Sequence, residues 1–156
     1  LAFGTGSHPT TRLCLRWLDA HITGGESVLD YGCGSGILAI AALKLGAGSA
    51  IGVDVDAQAV QASHDNAAAN QVHARFYLPD HAPRLEADVV VANILTNPLR
   101  MLAPLLAGAT RTGGRIVLSG ILSEQADEVM KIYAQWFNLE APIMEEGWAC
   151  LSGVKR

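Results

Sequence analysis

Closely spaced glycines make one short segment of this sequence well suited to bind a ligand. They are Gly32, Gly34 and Gly36. A short apolar run precedes them and a strongly apolar segment beginning at Ile37 follows, so the pattern indicates a strand, a tight turn and a helix. The first amides of such a helix face the turn, which lies at the carboxyl end of a parallel strand. Open α/β sheets bind their ligands at that edge.

A carboxylate at the start of this segment limits the kind of ligand that the loop suits. Dinucleotide-binding loops have the pattern Gly-x-Gly-x-x-Gly and place a pyrophosphate on the helix N-terminus. Here the pattern is Asp-x-Gly-x-Gly-x-Gly, with Asp30 at the end of the predicted strand. A carboxylate would repel a pyrophosphate, whereas it can lie near a cationic ligand or accept hydrogen bonds from it. The spacing therefore favours a ligand that carries positive charge.

Two further polar residues end predicted strands. Asp54 follows the glycine loop by about twenty residues, the offset of an acidic residue that binds ribose hydroxyls. The alternative is a helix cap, a role that we assign to Asp56. Asn93 ends a buried apolar run, and its amide has the donors and acceptors needed to orient an attacking amine. The alternative is an Asx turn before Pro98, for which Asn97 is better placed.

Two loops are less strongly determined. The segment 3–11 is rich in glycine and hydroxyl groups, and composition alone suits a functional loop and a frayed terminus equally well. His8 in this segment could act as a general base, although a lone histidine in a loop more often packs or hydrogen-bonds. The sequence after residue 70 is short for a third strand and its surroundings. Asp80 or His81 could contact an adenine there, and a solvated turn is an equally good interpretation.

The composition indicates one folded domain. At 156 residues, with 50% hydrophobic and 17% charged residues, the chain can bury a single substantial core. Its apolar runs are too short to span a bilayer, so we expect no membrane segment. We expect a cytoplasmic location, in keeping with the reduced thiols described below. The net charge of −4 argues against broad binding to a nucleic-acid backbone. The scattered Cys14, Cys33 and Cys150 suit reduced thiols and give no metal-ligand or disulfide pattern.

The order of the apolar segments predicts a doubly wound α/β sheet. The predicted strands cover residues 27–31, 49–54, 74–78, 87–92 and 115–119. Five helices are predicted. The first begins at Pro9, the next three cover 36–45, 57–70 and 98–109, and the last runs from a Ser123 cap to Trp136. Gly113 and Gly114 are expected to turn the chain. Residues 139–145 and 148–154 predict a closing hairpin about Gly147, which gives seven mostly parallel strands with the last antiparallel.

Four segments together resemble one protein family. They are 3–11, 30–38 (Asp-Tyr-Gly-Cys-Gly-Ser-Gly-Ile-Leu), 52–56 (Gly-Val-Asp-Val-Asp) and 92–95 (Ala-Asn-Ile-Leu). The glycine loop is similar to motif I of S-adenosylmethionine-dependent methyltransferases in general. The combination of 3–11 with 92–95 is more specific and resembles the PrmA family, bacterial methyltransferases of the stalk-base protein of the large ribosomal subunit. The likeness covers nearly the whole chain and implies a class I methyltransferase Rossmann-like fold, with helices on both faces of the sheet.

The resemblance also implies the chemistry and its residues. It implies S-adenosylmethionine as cofactor, S-adenosylhomocysteine as product, and methylation of lysine ε-amines and an N-terminal α-amine of a large-subunit ribosomal protein. The predicted cofactor-binding residues are Phe3, Gly4, Thr5, His8, Thr11, Asp30, Gly32, Gly34, Gly36, Asp54 and Asn93. Asn93, Ile94 and Leu95 would position the acceptor amine, and no metal is expected.

Other functions stay open at this point. The family has an N-terminal substrate-recognition domain, and residues 1–156 are expected to be the single catalytic domain alone. We expect this domain to be a monomer. Whether it methylates its substrate without the recognition domain is a separate question. A cofactor-binding module without turnover is one alternative. Methylation of another amine or amide is a second, disfavoured because Asn-Ile-Leu replaces the Asn-Pro-Pro-aromatic loop of amide and nucleobase enzymes. An NAD-dependent dehydrogenase would need a different glycine pattern and an acid/base partner.

Overall fold

A computed structural model of the protein describes residues 7–156, so the predicted contacts of Phe3, Gly4 and Thr5 lie outside the described residues. The helices are α1 (Pro9–His21), α2 (Ile37–Lys44), α3 (Ala57–Ala69), α4 (Thr96–Gly108) and α5 (Ala126–Tyr133). The strands are β1 (Ser27–Tyr31), β2 (Ser49–Val53), β3 (Arg75–Tyr77), β4 (Ala87–Asn93), β5 (Thr110–Leu122), β6 (Phe137–Leu139), β7 (Ile143–Glu145) and β8 (Trp148–Lys155). No helix in this part of the chain is long and apolar enough to cross a membrane.

The strands form one sheet in the order β3-β2-β1-β4-β5-β8-β6, and β7 also pairs with β8. Strands β1 to β5 pair in parallel, whereas β6, β7 and β8 pair antiparallel. The predicted α/β fold with an antiparallel end is therefore confirmed. The strand order reverses between β1 and β4, which makes the carboxyl ends of these two strands the expected ligand-binding crevice.

The closing hairpin about Gly147 is present, but its first arm is divided. Strands β6 and β7 both pair with β8, at its end and at its start respectively, so the sheet has eight strands where seven were predicted. Pro142 lies between the two short strands and has no amide to donate to the ladder, which explains the interruption.

Helices cover both faces of the sheet, and alternate residues of each strand enter separate cores. On β4, Val89 and Val91 belong to the core beneath α1 and α2, whereas Val90 and Ala92 belong to the core beneath α4 and α5. Both sets are nearly or fully buried, as the continuous apolar run of this strand predicts.

The largest differences from the predicted boundaries are at β5 and α5, and α4 also begins at Thr96, two residues before the predicted start. Strand β5 begins at Thr110 and continues through the predicted Gly113-Gly114 turn, with an irregular register against β4. A Cβ on Gly114 would lie 2.9 Å from the Asp88 carbonyl oxygen, so glycine allows the two strands to remain close there. The predicted Ser123 cap is wrong. A 3-10 turn (Ser123–Gln125) precedes α5, which has no side-chain cap and ends at Tyr133 before the predicted Trp136.

The connection between β3 and β4 contains a short 3-10 helix (Pro79–His81) in place of an α-helix. This fits the short sequence after residue 70. The uncovered part of the sheet forms a groove of about 660 Å³, whose floor includes Leu29, Tyr31, Ile51 and Val53. The groove faces the α4 side of the sheet, since these residues belong to or pack against that core.

Asp30 caps helix α2 from the end of β1. The N-cap residue of α2 is Gly36, which has no side chain, and Asp30 Oδ2 instead accepts a hydrogen bond from the Ala39 amide at 3.1 Å. The carboxyl group is only 1% exposed. Burial raises the pKa of Asp30 to about 7, the hydrogen bond from Ala39 lowers it, and the charge of Asp54 raises it further.

Gly120 allows β5 to approach the chain that leaves β4. Its φ is +90°, and a Cβ would lie 2.3 Å from the Ile94 carbonyl oxygen. The Ile94 amide donates to the Ser119 carbonyl at 3.1 Å, so the two segments are bonded as well as close. Any side chain at Gly120 would force them apart.

We predict that Gly120→Ala lowers the free energy of unfolding by about 3 kcal/mol, because it combines a positive φ with a backbone clash. Gly25→Ala is the matched control. Gly25 has a φ of +86° but no heavy atom within 4 Å of the place that a Cβ would take, so the expected loss is about 1 kcal/mol. Urea unfolding measures both values. Equal losses would show that the Ile94 contact is unimportant.

We predict that raising the pH destabilises the wild-type protein relative to Asp30→Asn. The pKa of Asp30 is about 7 in the folded state and lower in the unfolded state. Between roughly pH 4 and 7 the folded state therefore binds a proton on Asp30 that the unfolded state has lost. Stability from this group therefore falls as pH rises through that window, whereas asparagine does not titrate. Urea unfolding from pH 5 to 8 measures the difference.

The control for that experiment is Asp88→Asn. Hydrogen bonds from the Ser27 amide and, to a smaller extent, from Arg111 lower the pKa of Asp88. The group therefore stays ionised throughout the same range, and its variant should differ from wild type by a constant amount. Parallel curves for wild type and Asp30→Asn would contradict the assignment.

Candidate functional site

The glycine loop joins β1 to α2 with a backbone that side chains would obstruct. Gly32, Gly34 and Gly36 have φ values of 77°, 55° and 83°, all in the left-handed region. A Cβ on Gly32 would lie 2.3 Å from Cγ2 of Ile94. A Cβ on Gly36 would lie 3.0 Å from the Ser63 side chain. The predicted crowding of this turn is therefore present.

Residues of α3 hold the loop in this shape. Ser63 Oγ donates to the Gly34 carbonyl at 2.8 Å, and Asn66 Nδ2 donates to the Ser35 carbonyl at 2.8 Å. Sequence reasoning missed both residues. The sequence gives little signal for them, because α3 also carries Gln58, Gln61, His64 and Asp65 and nothing in the pattern marks which polar residues reach the loop.

Asp54 lies beside the loop at the end of β2. Its Oδ2 accepts from the Gly34 amide at 2.9 Å and its Oδ1 accepts from the Asp56 amide at 3.0 Å. Each carboxylate oxygen can accept a further hydrogen bond, so the group can still bind hydroxyls. Asp56 caps α3 through the Gln58 amide at 2.9 Å, as predicted. The ribose role of Asp54 stays a prediction.

Asn93 ends β4 next to the first turn of α1. Its Nδ2 donates to Thr11 Oγ1 at 3.2 Å, and Thr11 is completely buried. The Asn93 side chain is 7% exposed, and its Oδ1 has no hydrogen-bond partner in the part of the chain that the structure describes. A buried acceptor without a donor is costly, so a ligand with an N–H or O–H group would bind favourably there.

The two residues after Asn93 differ in exposure. Ile94 is half-buried and lies against the glycine loop at Gly32. Leu95 is 55% exposed and directly precedes α4. Thr96, the first residue of α4, donates from its hydroxyl to Gln125 Oε1 at 2.5 Å, which joins this segment to the start of α5. Asn93 and Leu95 thus present a polar and an apolar group at the same sheet edge.

His8 caps α1. Its Nδ1 accepts from the Thr10 amide at 3.2 Å and lies 2.8 Å from Thr10 Oγ1. Its ring meets Trp148 edge-on, with centroids 5.4 Å apart. Ser119 Oγ donates to the Thr10 carbonyl at 2.9 Å, which attaches the same turn to β5. The structure gives His8 a role in helix packing, and its cofactor contact stays a prediction.

The other candidates are two polar residues that follow β3 and the three cysteines. Asp80 and His81 are exposed in the 3-10 helix after β3, where both interpretations, adenine contact and solvated turn, stay open. The cysteines are free and buried, and burial raises the pKa of Cys33 and Cys150 to about 12. Among residues 7–156 no group of His, Cys, Asp or Glu has the arrangement of a metal site.

Comparison with known proteins gives the family. The family model for ribosomal protein L11 methyltransferase (PrmA) matches residues 1–156. Curated relatives of that name are 70% identical in Neisseria meningitidis serogroup B and 67% identical in Chromobacterium violaceum, over the whole of this chain. The chain covers 53% and 52% of those two proteins, so it spans about half the length of the relatives that it matches.

Solved structures agree with this result. A ribosomal protein L11 methylase from Lactobacillus delbrueckii subsp. bulgaricus has a TM-score of 0.89 at 31% identity, covering 97% of this chain and 81% of that one. RsmC, a 16S rRNA methyltransferase of T. thermophilus solved with AdoMet and guanosine, has a TM-score of 0.81 at 21% identity. The alignment covers 99% of this chain and 45% of the RsmC chain, and at this identity it shows the fold alone. The chain therefore has the class I methyltransferase fold and belongs to the ribosomal protein L11 methyltransferase family, PrmA.

Proposed function

We propose that this chain is the catalytic domain of an S-adenosylmethionine-dependent methyltransferase that modifies amines of ribosomal protein L11. The acceptors are lysine ε-amines and the N-terminal α-amine. The observation that carries the proposal is Asn93, whose buried amide oxygen has no partner among residues 7–156 and lies at the switch point of the sheet beside the glycine loop. Family membership and the names of the relatives support the same function. Action on a ribosomal protein would place the enzyme in the cytoplasm.

The residues at this edge fit the proposed cofactor. The glycine loop allows close approach of a ligand to the backbone, and Asp54 can accept from ribose hydroxyls. Asp30 is buried beneath hydrogen-bonded backbone, so any effect on a cationic ligand would act through its charge and not through direct contact. When bound, S-adenosylmethionine supplies an electrophilic methyl group on a sulfonium.

Asn93 and Thr11 would orient the acceptor. The Nδ2–H bond to Thr11 fixes the orientation of the Asn93 amide, which leaves Oδ1 to accept an N–H of the incoming amine. An amine attacks only after it loses its proton, and the reference pKa of lysine is about 10.4. The apolar Ile94 and Leu95 favour the neutral amine by excluding water. A neutral amine held by Asn93 in this way would be placed to accept the methyl group that the cofactor supplies, and the proton released from the amine would pass to water.

The first test is thermal unfolding of the chain with S-adenosylmethionine, S-adenosylhomocysteine, NAD or no ligand. At about one hundred times the dissociation constant, each adenosyl compound should stabilise the fold by roughly 2.7 kcal/mol. NAD should have no effect, because the loop lacks the dinucleotide pattern. Stabilisation by NAD alone, or by none of the compounds, would contradict the proposed cofactor site.

We predict that Asn93→Ala lowers the rate of methyl transfer to L11 about a hundredfold, because a positioned acceptor for the amine is lost. A radiolabelled methyl-transfer assay measures the rate. Asn97→Ala is the matched control, since Asn97 is exposed and its side chain accepts a long hydrogen bond from Arg100 at 3.3 Å. An Asn93→Ala variant that keeps full cofactor binding and full rate would exclude this role.

A further inference from the structure

A group of charged side chains ties the first turn of α1 to the tip of the β7–β8 hairpin. Arg12 Nη2 lies 3.0 Å from Glu145 Oε2 and 2.5 Å from Glu146 Oε2, and Arg12 Nε donates to Glu145 Oε2 at 3.3 Å. Arg12 Nη1 also donates to the Ser7 carbonyl. Arg16, one turn later, contacts the other oxygen of Glu145 at 2.5 Å, its one ion pair among residues 7–156.

The hairpin tip also contacts the end of β5. The Ser123 amide donates to the Gly147 carbonyl at 2.9 Å, and Leu122 is paired with Trp148 across the sheet. Trp148 in turn meets the His8 ring. The tip therefore contacts the start of α1 on one side and the end of β5, beyond Ser119, on the other.

Arg12 and Thr11, the residue that contacts Asn93, lie on the same helical turn. Thr10 and Thr11 are completely buried, with Thr11 against Asn93 and the Thr10 carbonyl against Ser119. Arg12 is the next residue, and its side chain is 34% exposed. Successive helical residues point about 100° apart, so a rotation of this turn moves Thr11 and Arg12 together. Holding the guanidinium in place therefore holds Thr11.

The number of acceptors matters more than the strength of each ion pair. A single exposed ion pair contributes little to stability. Arg12, however, directs its planar guanidinium at two carboxylates and one backbone carbonyl at once. Such a fork fixes direction, which a single flexible charge cannot do. Arg16, with one contact, lacks this constraint.

We propose that Arg12 is a positioning residue of the cofactor and acceptor site: it fastens the first turn of α1 to the β7–β8 hairpin and so keeps Thr11 in contact with Asn93. The inference rests on the proposed function, because it treats Asn93 and Thr11 as parts of that site. It also gives the terminal hairpin a part in ligand binding, through Glu145 and Glu146.

The test compares Arg12→Gln, Arg12→Lys and Arg16→Gln with wild type. The dissociation constant of S-adenosylhomocysteine is measured by calorimetry, and the Asn93 side-chain amide signals are followed by NMR. Arg12→Gln should weaken binding about fivefold and shift the Asn93 signals, since coupling through such a network is modest. Arg12→Lys should fall between Arg12→Gln and wild type. Arg16→Gln should match wild type in both measurements, although it removes a contact to the same glutamate.

Two results would overturn the inference. One is an Arg12→Gln variant with wild-type affinity and unchanged Asn93 signals. The other is an Arg16→Gln variant with the same losses, which would show that general weakening of the surface ion pairs is responsible. If wild type itself does not bind S-adenosylhomocysteine, the proposed function fails, and the Asn93 amide signals of the ligand-free proteins still decide whether Arg12 positions this turn.

Discussion

The close packing of one residue between two glycines controls the geometry of the site. The Ile94 side chain occupies the space that a Cβ on Gly32 would fill, and the Ile94 carbonyl occupies the space that a Cβ on Gly120 would fill. The glycine loop, the end of β4 and the end of β5 are thereby fixed against one another. Because Asn93 precedes Ile94, its position relative to the loop follows from the same contacts.

Polar groups complete this arrangement where the backbone alone cannot. Helix α2 begins at a glycine, so the buried Asp30 supplies the missing cap, and Asp54 and Ser63 bond the loop from β2 and α3. These bonds need residues from separate elements to be in place together. The loop is consequently a product of the whole sheet edge, and its shape does not depend on local sequence alone.

The sequence was sufficient where a pattern is local. The apolar run of β4 and the strand–glycine–helix pattern around Gly34 predict their structures because burial and positive φ leave few alternatives. It was insufficient where distant residues meet: Ser63 bonds a loop 29 residues away, and nothing in the local pattern marks Gly120 as a close approach. The start of α5 also involves a distant contact, since the Ser123 amide bonds the Gly147 carbonyl. The division of the closing hairpin, by contrast, coincides with Pro142, a local feature that the strand prediction did not take into account.

The buried oxygen of Asn93 connects stability with function. A fold selected only for stability would pair this acceptor or replace it with an apolar side chain, since an unsatisfied buried polar group destabilises by about 1–3 kcal/mol. The neighbouring Thr11 hydroxyl accepts a hydrogen bond from the amide nitrogen, and the oxygen has no partner in the described part of the chain. Departures from local consistency of this kind concentrate at functional sites. The glycine loop and Asp54 lie at the same edge as Asn93, which is the edge where open α/β sheets bind their ligands.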